Sequence, residues 1–304
     1  MWSEIEAALG ERLARGEPMS RHTTFRIGGP ADGFIEANSA DDLHDIVLAA
    51  CHHQVRYFIL GGGSNILVSD AGMRGLVILN RARDIKFRTL RVKCESGVIL
   101  PTLARECTER GLAGLEWAMG VPGTVGGAVV GNAGAHGGDI AQSLISANIL
   151  DVGGNVRDWS AQELQFGYRT SVLKSQLRNP KSEIRNPVVL AAEFELKQST
   201  REACEARATE FTEQRKHTQP PGATLGSMFK NPPGDYAGRL IEAAGLKGTR
   251  VGNAEISNVH ANFFVNLGGA SAAEMDALIR LAREKVKATS GIGLELEIQL
   301  VGEW

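Results

Sequence analysis

Two glycine-dense loops hold the residues whose types and spacing could do chemistry. One, Gly61-Gly62-Gly63-Ser64-Asn65, ends an apolar run at 55–60; the other, GVPGTVGGAVVGNAGAHGG, spans 120–138. Without Cβ atoms, backbone N–H groups approach a phosphate closely and take positive φ where a turn needs it. There is no GxGxxG, and no glycine is followed directly by lysine, so neither a Rossmann fingerprint nor a Walker loop is present. A single loop of this kind is as readily a tight turn. Two long ones point to a large cofactor carrying a pyrophosphate, without naming it. Near the C-terminus, Glu295 and Glu297 alternate with Leu294, Leu296, Ile298 and Leu300. That two-residue period predicts a strand with both carboxylates on one face, opposite the apolar one. The plain alternative is a solvated sheet face.

These loops sit in a chain of 304 residues, room for about two domains of typical size. Its 33 basic and 35 acidic side chains give a formal charge of −2 with no polybasic run, which argues against a nucleic-acid binder. The start, MWSEIEAALGERLARG, is charged every few residues, so no signal peptide is predicted. No stretch of ~18 apolar residues is present to span a bilayer. The expected location is cytoplasmic, with no membrane partner. Cys51, Cys94, Cys107 and Cys204 are scattered without CxxC or a Cys/His cluster, predicting free thiols and no metal site. The 36 glycines are about 12 % of the chain against a usual ~7 %, an excess that serves local backbone geometry.

The elements that must position the loops follow from periodicity. Ser39 caps a predicted helix over 39–53, with Leu43, Ile46, Val47 and Ala50 at helical spacing. Strands are predicted at 55–60, 75–79, 91–94, 144–151 and 188–196, and helices at 102–110 and 200–217. Residues 218–222 read as a linker. Beyond it come a helix at 236–244, a strand at 262–267, and a helix opened by the Ser271/Glu274 capping box and closed before Gly291.

Six strings carry a resemblance: RHTTFRIGGPA (21–31), LGGGSNILVSD (60–70), GVPGTVGGAVVGNAGAHGG (120–138), FGYRTS (166–171), GSMFKNP (226–232) and HANFFVN (260–266). In order and spacing the chain resembles the UDP-N-acetylenolpyruvoylglucosamine reductase (MurB) family from about residue 20 to the C-terminus. The resemblance implies an α+β fold, with a two-part FAD-binding α/β region of the vanillyl-alcohol-oxidase (PCMH) type and a C-terminal α/β substrate-binding domain. The implied segments are 1–80, 81–217 and 218–304, with C-terminal residues expected to pack back on the first. It implies an FAD enzyme of peptidoglycan precursor synthesis. NADPH would reduce the flavin, and the enolpyruvyl ether of a UDP-sugar would then take hydride at C3 and a proton at C2. A monomer is expected. The alternative is another FAD-dependent oxidoreductase of this fold acting on a sugar-like alcohol.

Carried over by position, Thr24, Arg26, Ile27, Gly28, Gly61, Gly62, Gly63, Ser64, Asn65 and Ile66 would contact FAD. So would Pro122, Gly123, Thr124, Gly126, Gly127, Ala128, Asn132 and Gly134. Arg169 matches the arginine that holds the substrate carboxylate as charge grows on it. Ser227 matches the proton donor and Glu297 the catalytic glutamate, with Glu295 as the rival in register. Lys230, Asn231 and His260 are implied substrate contacts, with Asn262 at the rim, and His22 is expected to fix its loop. Two departures stand out. Thr218, Gln219 and Pro220 replace a Lys-Gln-Pro, with Lys216 two residues earlier, and no tyrosine lies between Tyr168 and Tyr236. The chain therefore resembles the branch without a substrate-capping tyrosine loop.

Overall fold

Ser39 opens the first long helix of a computed structural model that describes residues 2–177 and 186–304. Its Oγ accepts the Asp42 N–H at 3.1 Å, and Leu43, Ile46, Val47 and Ala50 form the buried stripe of Ala40–His52. Val55 donates its N–H back to Ala50 O and Gln54 takes φ 55°, so the strand expected from 55 starts later, as Tyr57–Leu60. It runs parallel to Met73–Asn80, with Tyr57 opposite Leu76. The helix expected over 102–110 is Leu100–Glu109, because Pro101 suits a first turn that needs no N–H.

The chain divides into two compact units. One comprises Met1–Arg15, Gly33–Gly62 and Gly75–Gln214. Its centre is a five-stranded antiparallel sheet in the order Val156–Ser160, Leu144–Leu150, Val188–Glu195, Arg91–Glu95, Ile85–Arg88. Leu103, Cys107, Trp117, Val125 and Val129 pack on Val92, Cys94 and Phe194 in one core cluster, which roots the short helix Val125–Gly131 in the sheet. A second cluster joins the Ala40–His52 stripe to Ile35, Leu76 and Ile78.

The other unit comprises Gly16–Asp32, Gly63–Arg74 and Arg215–Trp304. Arg250–Val251, Ala254–Ile256 and Phe264–Asn266 form an antiparallel sheet. Ala272–Ser290 packs on it through Met275, Leu278, Ile279, Ala282 and Val286. Both halves of the Ser271/Glu274 capping box are present, and Gly291 closes the helix at φ 74°. The strand expected to run unbroken through 294–300 is corrected. Residues 295–297 lie beside 228–230, whereas Gln299–Val301 runs parallel to Ile66–Val68. The chain changes neighbours at 297–298, so the period-two face is lost: Leu294 and Ile298 are buried but Leu300 is 37 % exposed.

Among the described residues no helix is long and apolar enough to cross a membrane. All four cysteines are free thiols. Burial pushes the thiols of Cys94, Cys107 and Cys204 up, Cys107 to about 12, while Cys51 is part-exposed. Because the thiolate is the reactive form, a disulfide reagent at pH 8 is expected to label only Cys51 in the native protein and all four in guanidinium. Rapid native labelling of three or four would contradict this packing.

Candidate functional site

Within the first unit, the glycine string 120–138 folds around the helix Val125–Gly131. Thr124 sits at its N-cap, with Val125 N–H on Val98 O at 2.9 Å, Gly126 N–H on Ser96 O at 2.8 Å and Ala128 N–H on Thr124 O at 2.9 Å. None of these bonds uses the Gly127 amide. A Cβ on Gly126 would stand 2.9 Å from Ser96 Cβ, one on Gly62 would stand 3.0 Å from Gly123 Cα, and one on Gly61 would overlap Thr124 Oγ1. Those three glycines serve packing of the chain on itself. Gly127 differs, since its Cβ would meet nothing nearer than Thr124 Oγ1 at 3.7 Å, and at Gly131 there is nothing within 4 Å. A helix prefers alanine to glycine by about 0.5–1 kcal/mol. No contact among the described residues requires glycine at 127, so there is room beside it for a group from outside the chain. Pro122 and Gly123 lead into this turn, and Gly134 pairs with Asp139 in a hairpin whose tip is His136-Gly137. The His136 ring stacks on Phe211 at 4.6 Å.

Asn132 closes the helix at φ 43°. Its Oδ1 accepts Ala141 N–H at 3.1 Å, and its Nδ2 donates to Gly167 O at 3.0 Å, so both ends of this buried amide bind the chain's own groups. Through that bond the glycine string reaches the turn that carries Arg169. Gly167 and Thr170 exchange backbone bonds of 3.0 and 3.2 Å, and Arg169 between them takes φ 58°. Ser171 Oγ donates to Val130 O at 2.7 Å, and Lys174 Nζ donates to Arg169 O at 2.9 Å. Lys174 is buried and was not a candidate in the sequence; its signal there is only a lysine following Val172 and Leu173.

Within the second unit, Thr24 N–H donates to Gly63 O at 3.1 Å and its hydroxyl to Thr224 O at 3.0 Å. Arg26, exposed at φ 56°, and Gly28 complete a turn stapled by Thr23. The Ile27 side chain lies in the core with Phe25 and Leu67, and that of Ile66 is also buried. A Cβ on Gly63 would overlap His22 O, and one on Gly28 would come 2.8 Å from Val68 Cβ. These two glycines therefore allow one loop to lie on the other. His22 fixes its loop through Glu17 at 2.9 Å. After Ser64, Asn65 O accepts Gln299 N–H at 3.0 Å and Asn65 Nδ2 donates to Glu297 O at 3.3 Å.

The run beginning at Ser227 is the centre of this unit's polar cluster. Ser227 forms a bridge with Phe263, and Met228 N–H donates to Asn262 O at 2.7 Å. On the other flank, Glu297 N–H donates to Met228 O at 3.0 Å and Lys230 N–H to Glu295 O at 2.8 Å. Antiparallel opposition puts the Lys230 and Glu295 side chains together, with Nζ to Oε1 at 2.6 Å. Glu295 thus serves Lys230, and Glu297 is the glutamate joined to the residue after the serine. Asn262, expected at the rim, is instead 2 % exposed and binds both the N–H and C=O of Phe229. Its buried amide satisfies two main-chain groups that no strand reaches. Asn231 Oδ1 accepts Ala237 N–H at 3.1 Å and so starts the helix Ala237–Ala243. His260 accepts Asn262 N–H on Nδ1 at 3.2 Å, and burial pushes its imidazole below the usual histidine range. At neutral pH it offers hydrogen bonds rather than charge.

The C-terminal-domain model of UDP-N-acetylenolpyruvoylglucosamine reductase matches residues 217–301, and an FAD binding domain model matches 31–160. A UDP-N-acetylenolpyruvoylglucosamine reductase of Chloroflexus aggregans is 43 % identical over 98 % of this chain and 100 % of its own. One of Rubrobacter xylanophilus is 45 % identical over 94 % of each. The crystal structure of UDP-N-acetylenolpyruvylglucosamine reductase from Thermus caldophilus, 35 % identical, superposes with a TM-score of 0.80 over 95 % of this chain and 99 % of that one.

Proposed function

The chain belongs to the UDP-N-acetylenolpyruvoylglucosamine reductase family, and from that premise we propose that it reduces UDP-N-acetylglucosamine enolpyruvate to UDP-N-acetylmuramate. NADPH is the reductant, FAD the cofactor, and the place the cytoplasm, in the synthesis of peptidoglycan precursors. The observation that carries the reading is the joining of Glu297 to the strand-like run that begins at Ser227. The match of 217–301 to the reductase's own C-terminal domain disfavours a sugar-alcohol oxidase. The space over Gly127, together with the neutral donor Thr124 in the same unit, fits a pyrophosphate cofactor. FAD supplies, when bound, the relay that takes hydride from NADPH and delivers it to C3 of the enol ether.

The chain's own residues handle charge and the proton. Arg169 grips the carboxylate adjoining C2, where negative charge gathers as C3 takes the hydride. Ser227 gives its hydroxyl proton to C2, so one hydride and one proton together saturate the double bond. A serine is a weak acid, and only a strongly basic carbon beside a fixed hydroxyl makes the transfer effective. The two flanks that pair with 227–230 fix that hydroxyl's main chain. Glu297 is assigned to the same step, and Lys230 and Asn231 to substrate binding, with His260 a neutral contributor.

The test is spectroscopic. The protein is expected to purify yellow, to bleach with NADPH, and to recover colour when the enolpyruvyl sugar nucleotide is added. Acid precipitation is expected to leave all flavin in the supernatant. A colourless protein that takes up no FAD, or bleached protein indifferent to that substrate, would defeat the reading. Glu297→Gln is expected to slow the recovery of colour about 10²-fold or more and to leave the bleaching rate alone. Glu295→Gln breaks an ion pair whose carboxylate is 62 % exposed, and is expected to change either rate by less than about threefold. Stopped-flow absorbance separates the two steps, and the reverse order of effects would reassign the glutamate.

A further inference from the structure

We propose that Lys174 is a positioning residue for the reduction, holding Arg169 in the left-handed conformation from which its guanidinium meets the substrate carboxylate. The proposal rests on the role given to Arg169 above. A non-glycine residue at φ 58° persists only where its surroundings over-determine it. The peptide plane between Arg169 and Thr170 sets ψ of that residue and closes the tight turn in which its positive φ is required, and it is held at both edges. Thr170 N–H donates to Gly167 O at 3.2 Å, a neutral bond within the turn, while Arg169 O accepts the Lys174 ammonium at 2.9 Å. The second is charge-assisted and the stronger of the two. It also comes from outside the turn, from the helix Val172–Leu177, whose own start is tied by Ser171 to Val130 O. Rotation of this plane would open the turn and release Arg169 from the left-handed region, and a charged donor on its carbonyl opposes that rotation.

Lys174 is 4 % exposed. A leucine or methionine would fill such a site without desolvating a charge, so the space alone does not call for lysine. Among its contacts, the lysine places a charged donor on the carbonyl that closes the Arg169 turn. The Asn132 bond to Gly167 O fixes the opposite side of the turn, so the arginine is clamped from two directions by buried polar groups.

The experiment is a double-mutant cycle on the FAD-loaded protein, with Lys174→Met and Arg169→Asn, asparagine being tolerant of the left-handed region. Calorimetric titration of oxidised enzyme with the enolpyruvyl sugar nucleotide, without NADPH, gives the Kd. Lys174→Met is expected to weaken binding about 10–100-fold, as misplacement of a positioning group does, while leaving the rate of bleaching by NADPH unchanged. In the Arg169→Asn background the same substitution is expected to change Kd by less than about twofold. Equal weakening in both backgrounds, or none in either, would overturn the proposal. If Arg169→Asn alone leaves Kd and colour recovery at wild-type values, the role of Arg169 itself fails. Should Lys174→Met not fold, Lys174→Gln retains a neutral donor. It is expected to fall between wild type and Arg169→Asn in Kd, and a wild-type Kd there would count against the charge.

Discussion

The Ser227→Ala variant is expected to accept electrons from NADPH at a near wild-type rate and to pass them to the enolpyruvyl sugar nucleotide about 10²–10⁴ times more slowly. The asymmetry follows from where the proton is needed. No carbanion at C2 exists while NADPH is the reacting partner, so removal of the hydroxyl touches only the second step. Alanine occupies the same main-chain position without disturbing the Phe263 bridge or the Met228 bonds to Asn262 and Glu297, so the fold is expected to survive. Stopped-flow absorbance follows each half separately. Equal slowing of both halves would make the serine a general support of the site and end its assignment as proton donor.

Gly127→Val is expected to yield a folded protein that purifies without colour. The added side chain meets no atom of the chain closer than 3.7 Å from its Cβ, and the residue lies in a helix, so the apo fold is expected to melt within a few degrees of wild type. The same side chain enters the space argued to belong to the cofactor. Gly126→Val supplies the contrast. Its Cβ would stand 2.9 Å from Ser96, overpacking that costs about 1–3 kcal/mol, so it is expected to lower the melting temperature whether or not flavin is bound. Flavin absorbance per mole of protein and a circular-dichroism melt decide the matter. Full flavin content in Gly127→Val would remove the cradle from this turn.

Local signals in the chain were legible where one short segment decides its own structure. Ser39 and the Ser271/Glu274 pair start helices where their hydrogen-bonding chemistry places them, and Gly291 stops one. Periodicity failed at 294–300 because alternation presumes a single neighbour along the whole run. Here the first part borders 228–230 and the last borders 66–68, with a bend between. The glycines illustrate a second limit. A glycine that spares a clash with Ser96 and one that leaves a space for a ligand are the same letter in the sequence, and only the distances separate Gly126 from Gly127. The core role of Asn262 escaped for a related reason, since a polar residue's worth in a core depends on main-chain groups far along the sequence.

The parallel pairing of Ile66–Val68 with Gln299–Val301 has a consequence for biogenesis. Asn65 and Glu297, bonded beside it, are 232 residues apart, so the early loops are made long before their partner strand exists. At synthesis rates of ~5–20 residues per second, the interval is on the order of 10–50 s. During it, Phe25, Ile27 and Leu67, all buried in the finished core, lack the C-terminal side chains that cover them. The N-terminal elements built around Ala40–His52 wait less, because Ile35, Leu76 and Ile78 emerge within a few tens of residues and only Leu150, Val188 and Leu190 join their core later. The nascent chain therefore carries an apolar segment in need of shielding until Gln299–Val301 is translated, and chaperone dependence in vivo should concentrate there.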